Sequence, residues 1–412
     1  MSSTFLRKNQ KFLLTTAVYN KPLELTIRKW GWGDERKRTV FIPAFGAQFI
    51  KANFPEIDFL EYPSWDEYKK ALSVGYYSIV GISFYVFKAP VAFEMAKVAR
   101  EYGVKEVWAG GYGTILPDLD KHFDRVFKGY GEDALSMALY DKPINQIKHP
   151  VLIARSSMAP FGEKTGYLFV IRGCNLGCQY CCTPFFTPDK LYIPLSEIQR
   201  VLDEYKDQGV DVVSIMDDNL FLDEEHVRKT INLLSERNLK WMANVRADSI
   251  IGKVEKLTQS GLVGAYLGVE SFSNETLKDY KKRETTDQID QAIKELKSYG
   301  CYIWGTYMFC EPNATIESTR KEIEHLASLD LDLVIPTILT PYPGTPLFKK
   351  LEHLIIDWNW RHYDNGHIVW KHPHIRPEQV KTIYIDSFAT SNCAKISTFT
   401  EPDLGNSIIS TI

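Results

Sequence analysis

Short β-rich runs and helical patterns take turns along this chain in two series, and that rhythm narrows the fold more than any other feature of the sequence. "KFLLTTAV" (11–18), "IDFLEY" (57–62), "YSIVGISFY" (77–85), "EVWAGG" (106–111) and "RVFKG" (125–129) read as strands. Between them, "SWDEYKKAL" (64–72) opens with the Ser-x-x-Glu pattern of a capping box at Ser64 and Glu67. "APVAFEMAKVAREYG" (89–103) has helical apolar spacing and ends at a glycine. Strands that alternate with helices favour a parallel sheet covered on both faces. Residues 1–150 are therefore expected to form an open, doubly wound α/β domain.

The rhythm restarts after "RSSMAPFGEKTG" (155–166), a polar connection with Pro and Gly. "YLFVI" (167–171) leads into a cysteine-rich loop, and "PLSEIQRVLDEYKDQG" (194–209) follows as a helix with Ser196 near its cap. "VDVVSIMDD" (210–218), "KWMANVRAD" (240–248), "VGAYLGVES" (263–271), "CYIWGTYMFCE" (301–311) and "LDLVIPTILTPYPGTP" (331–346) read as further strands, separated by helical segments. Six strands, each but the last followed by helix, predict a partial parallel barrel over 151–346, smaller than the eight-stranded kind. In such folds the working residues stand beyond the C-terminal ends of the strands. The cysteine loop, Asp217, Asp218, Arg246, Glu270 and Ser271 all fall there. Residues 347–412 carry five of the nine histidines and three tryptophans. They are expected to form a small helical or irregular C-terminal module, or a cover over the barrel mouth.

Composition excludes several classes. At 44% hydrophobic and 25% charged, 412 residues suit two or three soluble globular domains. The longest apolar run, 76–87, is too short to span a bilayer, and the N-terminus has no small-residue cleavage pattern. A net charge of −3 gives no general pull toward nucleic acid or acidic membranes. Seven unevenly spaced cysteines do not resemble a secreted disulfide framework, so a cytoplasmic location is expected.

Four of those cysteines crowd into "VIRGCNLGCQYCCTP" (170–184). Cys174, Cys178 and Cys181 are spaced C-x3-C-x2-C, and closely spaced thiolates select iron–sulfur clusters or zinc. Three ligands leave one iron of a four-iron cluster open, as a catalytic centre requires. A zinc site completed by Cys182, and with it a non-catalytic metal-binding module, is the rival reading. Adjacent side chains in extended backbone diverge, and zinc modules usually bring two separated ligand pairs.

This motif, with Tyr180 just before its third cysteine and its strand–loop–helix context, resembles the signature of the radical S-adenosylmethionine superfamily. "MDDNLF" (216–221), "GVESFSNETLKDYKKRET" (268–285) and "TPYPGTPLF" (340–348) are similar to its subgroup with an N-terminal cobalamin-binding domain. "GGYGTILPD" (110–118) and "VFKGYGEDAL" (126–135) resemble late parts of that domain. The resemblance implies a [4Fe–4S] cluster on Cys174, Cys178 and Cys181, whose fourth iron is chelated by S-adenosylmethionine. It also implies Tyr180 near the adenine, Glu270 and Ser271 near the ribose or methionyl part, and an electron donor such as flavodoxin or ferredoxin.

Other positions carry two readings each. Asp217 and Asp218 are candidate catalytic residues or caps of the next helix. Arg246 is a carboxylate binder or a surface partner of Asp248. Cys310 stands where relatives have glycine in a G-x-P-G-x-T turn, here "CEPNAT" (310–315); it is a reactive thiol or a buried small hydrophobe. The scattered histidines of the tail match no usual ligand spacing, and its aromatics are expected to pack on the barrel. No D-x-H-x-x-G loop for binding cobalt from below occurs. The expected cobalamin contacts are the 43–48 loop, Ser83, Tyr85, Gly110, Gly111, Tyr112, Gly113, Thr114, Gly129, Gly131 and Glu132, where glycines let backbone approach a broad ligand. The resemblance thus implies cobalamin-dependent methylation of an unactivated carbon in a small molecule. The alternative is radical chemistry without methyl transfer: ring rearrangement, cyclisation, oxidation, or transfer of another part of S-adenosylmethionine.

Overall fold

The computed structural model describes residues 11–19, 24–27, 38–155, 164–380 and 382–383. The first series of strands builds a five-stranded parallel sheet: β1 (Phe12–Thr16), β2 (Asp58–Leu60), β3 (Ile79–Ser83), β4 (Glu106–Gly110) and β5 (Arg125–Val126). Their order is β2-β1-β3-β4-β5. Helices α1 (Phe45–Asn53), α2 (Trp65–Gly75), α3 (Ala89–Glu101) and α4 (Glu132–Tyr140) cover it. Successive side chains of a strand leave on opposite faces. Accordingly Phe12 and Leu14 pack with Ala47 of α1 and Leu135 and Leu139 of α4. Leu13, on the other face, shares a core with Tyr68 of α2 and Ala92 and Met95 of α3. The expected capping box starts α2: Ser64 Oγ accepts from Glu67 N–H, and the Glu67 carboxylate accepts from Ser64 N–H.

The second sheet has seven strands: β6 (Ile153–Arg155), β7 (Lys164–Leu168), β8 (Val212–Ile215), β9 (Lys240–Val245), β10 (Leu262–Glu270), β11 (Tyr302–Phe309) and β12 (Leu333–Ile338). β7 to β12 are the six expected parallel strands, side by side in chain order as an open barrel. β6 runs antiparallel along the outer edge of β7. Outside lie α5 (Leu195–Asp207), α6 (Glu224–Glu236), α7 (Thr286–Ser298) and α8 (Ile316–Ser328). Asp223, Thr285 and Thr315 cap the last three. Ser196 does not cap α5; that helix starts directly after Pro194, whose fixed φ suits a helix entry.

Several elements differ from the sequence reading. β7 begins at Lys164, inside the expected connection, because Lys164 and Thr165 pair with β6 and Thr165 also pairs with β8. It ends at Leu168, and Ile171–Arg172 pair instead with Leu191–Tyr192. The expected 43–48 loop is mostly the first turn of α1. Finally, β6 and the antiparallel pair Glu24–Ile27 and Arg38–Phe41 were not foreseen. Residues 156–163, Cys393 and everything after 383 lie outside the described residues.

Beyond β12 the chain returns to the first sheet. Leu347, Leu351, Tyr363, Val369 and Trp370 join the core that contains Val86, Ala89 and Met95. Trp370 Nε1 donates to Leu339 O at 3.1 Å. The tail aromatics therefore pack largely on the five-stranded unit rather than on the barrel alone. Ile375, Val380 and Ile383 then rejoin the barrel core. The tail histidines are used locally: His362 meets Asp357 at 2.6 Å, His367 meets Asp364 at 2.9 Å, and His372 Nε2 lies 2.9 Å from Glu311 O. Among the described residues no helix is long and apolar enough to cross a membrane.

Candidate active site and cofactor cavity

The cysteine loop leaves β7 through residues 169–173 and is pinned by two consecutive carboxylates after β8. Asp217, fully buried, accepts from Val170 N–H at 2.7 Å and Ile171 N–H at 2.8 Å. Burial pushes its carboxyl above the usual range while these two N–H groups oppose the shift. Asp218 accepts from Gly173 N–H and from Thr183 Oγ1, both at 3.0 Å. Neither residue caps the following helix, which is Asp223's task. Asp217 is thus an anchor for backbone, and Asp218 holds the two ends of the loop together.

Burial raises all three thiols of the C-x3-C-x2-C motif, Cys181 up to about 12 against the lowering influence of the neighbouring Thr183. Lys282 and Arg246 oppose the rise at Cys178. Cys182 faces elsewhere, packing on the core shared with the first sheet. Among the described residues, no three His, Cys, Asp or Glu side chains converge on one point as a single metal ion requires. Ligands to three separate irons of a cluster need no such convergence. Three thiols on one pinned loop, beside two cations, fit the iron–sulfur centre that the spacing predicts.

Beside Cys178 lies a buried cluster of charge. Lys282 Nζ is 3.3 Å from Glu284 and 3.9 Å from Glu270, which also accepts from Thr306 Oγ1 at 3.0 Å. Arg246 pairs with Asp248 at 2.8 Å and donates to Lys282 O at 2.6 Å. Arg246 is buried, 10% exposed, while its partner Asp248 is 32% exposed, so the pair stands half in the interior rather than wholly at the surface. Glu270 has φ +67° at a register shift in the β10–β11 pairing. A Cβ on Gly268 would stand 2.8 Å from Lys282 Nζ and 2.9 Å from Glu270 Oε1, so glycine there keeps the pair in place. Burial raises the Glu270 carboxyl, against Lys282 and Thr306. Tyr180 is edge-on to Tyr280, centroids 5.1 Å apart, within the field of Glu270 and the cysteines.

Two expected site residues fall away from this cluster. Ser271 donates to Glu322 on α8, because consecutive positions at a strand end point to opposite sides. Cys310 is fully buried in the barrel core, where burial raises its thiol, the inert setting for a cysteine.

A cavity of about 290 Å³ opens over the C-terminal ends of β1, β3 and β4, where the strand order reverses. Ser83, Tyr85, Gly110, Gly111 and Tyr112 line it, as do Gly129, Gly131 and Glu132. Gly113 and Thr114 do not: Gly113 packs against the Phe84 ring, and Thr114 Oγ1 turns back to Gly111 O. Gly111 has φ +82°, and a Cβ there would lie 2.8 Å from Phe84 O. The opposite wall comes from the barrel: Phe169, Arg172, Phe186, Met216 and Asp218. Two orphaned polar atoms belong to its lining. Tyr19 Oη and Glu132 Oε2 are buried with no hydrogen-bond partner among the described residues. A broad ligand fringed with amide groups, as cobalamin is, fits both the glycine edge and these unsatisfied atoms.

Sequence reasoning missed Arg172, Thr183 and Lys282. Arg172 Nη1 meets Glu132 Oε1 at 2.7 Å across the two units, with its guanidinium 4.0 Å from both the Phe49 and Tyr130 rings. Its signal was position, two residues before the first cysteine. Lys282 sat inside a quoted motif whose charges were left unread.

Residues 168–326, most of the open barrel, match the family model of the radical SAM superfamily. An uncharacterised methyltransferase of Pyrococcus horikoshii is 26% identical over 74% of this chain and 76% of its own length. Bacteriochlorophyllide d C-8(2)-methyltransferase of Chlorobaculum tepidum is 24% identical over 74% and 75%. Among solved structures, the radical S-adenosylmethionine methyltransferase TsrM from Kitasatospora setae, with tryptophan substrate and a SAM analogue bound, matches with a TM-score of 0.70 at 14% identity. It covers 97% of this chain and 94% of its own. The cobalamin-dependent radical enzyme OxsB with aqua-cobalamin and S-adenosylmethionine bound matches with a TM-score of 0.64 at 12% identity, over 92% and 66%. At these identities the structural likeness speaks to the fold of both units.

Proposed function

We propose that this protein is a cytoplasmic radical S-adenosylmethionine methyltransferase that uses cobalamin to methylate an unactivated carbon of a small molecule. In this reading residues 1–150 hold the corrinoid, 151–346 hold the cluster, and a small redox protein such as flavodoxin or ferredoxin supplies electrons. The observation that carries it is one shared wall: the cavity over the first sheet is closed by Arg172, Phe186 and Asp218, the residues that flank or pin the cysteine loop.

Bound together, the cluster, S-adenosylmethionine and cobalamin supply one-electron cleavage of a carbon–sulfur bond and a transferable methyl group. The chain's own residues do the rest. Cys174, Cys178 and Cys181 are the ligands, and Asp217 and Asp218 set their loop. Glu270, Lys282 and Arg246 offer both signs of charge to the amino and carboxylate groups of S-adenosylmethionine, while Tyr180 flanks the adenine. Ser83, Tyr85, Gly110, Gly111 and Tyr112 form the corrinoid floor. The apolar surroundings exclude water from reactive species.

Anaerobic assay with S-adenosylmethionine, reductant, hydroxocobalamin and a pool of candidate small-molecule acceptors tests this. A product heavier by one methyl, with S-adenosylhomocysteine formed, is the expected result. Reductive cleavage of S-adenosylmethionine without either product would reject methyl transfer, and zinc without iron in the purified protein would reject the whole reading.

A further inference from the structure

One chain of hydrogen bonds crosses from the cavity to the cysteine loop. The Tyr112 ring lies on that of Phe186, centroids 4.2 Å apart and planes 21° apart. Its hydroxyl stands 3.2 Å from Thr183 Oγ1. Thr183 Oγ1 donates to Asp218 Oδ1 at 3.0 Å, which makes Tyr112 the donor to Thr183. The other Asp218 oxygen accepts from Gly173 N–H. Gly173 precedes Cys174 and Thr183 follows Cys182, so the loop is closed at both ends by the residue that Tyr112 reaches through one hydroxyl. Tyr112, Phe186 and Asp218 all line the cavity.

We propose that Tyr112, Thr183 and Asp218 couple the two sites, so that cluster and corrinoid each bind more tightly when the other is present. The inference rests on the functional reading above. Its sign follows from ordering. Metal bonds to the three cysteines fix the loop ends, and fixed ends hold Thr183 where it accepts from Tyr112. A fixed Tyr112 hydroxyl and ring are a finished piece of cavity wall, so the corrinoid has less to order on arrival. Thermodynamic linkage makes the effect equal in both directions. The three are positioning residues, acting through the loop and the wall.

The test is equilibrium binding of hydroxocobalamin, read from its visible spectrum under anaerobic conditions. Full-length protein with the cluster reconstituted is compared with the same protein stripped of iron by a chelator. Wild type is expected to bind at least about fivefold more tightly with the cluster. Tyr112→Phe keeps the ring on Phe186 and loses only the hydroxyl. Whatever its absolute affinity for hydroxocobalamin, it is expected to show a ratio near one between the cluster-loaded and iron-free forms. Thr183→Ser, which retains the hydroxyl, is expected to keep the wild-type ratio. A wild-type ratio near one with both groups bound, or an unchanged ratio in Tyr112→Phe, overturns the coupling and leaves the functional reading intact. Protein that takes up neither iron nor corrinoid overturns both.

Discussion

Truncating Glu132 to alanine is expected to destabilise the folded chain by about 3 kcal/mol, more than any exposed ion pair is worth. Glu132 Oε1 and Arg172 Nη1 are 2.7 Å apart, with side chains 1% and 5% exposed. At the effective dielectric of about 20 that suits such sites, unit charges about 4 Å apart attract by about 4 kcal/mol. Removing one partner of a buried pair typically costs about 3–5 kcal/mol, because the other charge is left uncompensated. The π faces of Phe49 and Tyr130 do not offset this, since Arg172 already uses both in the wild type. The truncation also removes Glu132 Oε2, a buried oxygen without a partner among the described residues, which relieves about 1 kcal/mol. The net therefore falls at the lower end of the range. Urea unfolding of ligand-free protein, followed by intrinsic fluorescence, measures it. Glu132→Leu combined with Arg172→Met should cost less than Glu132→Ala alone, because no charge is then stranded. A loss below about 1 kcal/mol in Glu132→Ala, or strict additivity in the double-mutant cycle, would refute the reasoning.

Three further outcomes follow from the geometry. Cys174→Ala, Cys178→Ala and Cys181→Ala should each lose most of the iron in a colorimetric assay after anaerobic reconstitution, whereas Cys182→Ala should keep it. Asp218→Ala removes the acceptor of Gly173 N–H and Thr183 Oγ1. With hydrogen bonds to a charged group worth about 1.5–3 kcal/mol each, iron should leave to a chelator at least about tenfold faster. Burial, then the Glu322 charge, raise the Glu311 carboxyl from 4.5 to about 7. The native state therefore binds this proton more tightly than the unfolded one. The stability it contributes is full below pH 4.5 and is lost as pH rises through about 7, by about 3 kcal/mol. Glu311→Gln should melt above wild type at pH 8 and near it at pH 4 by differential scanning fluorimetry.

The parallel sheets were legible because their signal is local. Apolar runs such as "YSIVGISFY" and helices with capping patterns at Ser64 announce themselves within ten residues. The short pairs were not. β6 offers only three residues, and Lys164 and Thr165 become strand because neighbours far along the chain supply partners. The same division holds in the site. Three cysteines on one loop were readable from spacing alone, and the glycine stretches pointed to the cavity edge. Arg172 with Glu132, and Lys282 with Glu270, depend on side chains meeting across 40 and 12 positions, which no local pattern encodes. Ser271 was misplaced for the opposite reason: strand ends mark both consecutive residues, yet the pleat sends only one of them to the mouth.

The return of the C-terminal segment has a consequence for biosynthesis. The apolar face formed by α2 and α3 is completed by Tyr363, Val369 and Trp370, which emerge from the ribosome more than 260 residues after α3 ends at Glu101. Throughout that interval the nascent first unit carries a greasy, unfinished flank. The five-stranded unit thus completes its core only after the segment beyond β12 has been made, so premature termination anywhere in the barrel damages that unit as surely as the half it truncates.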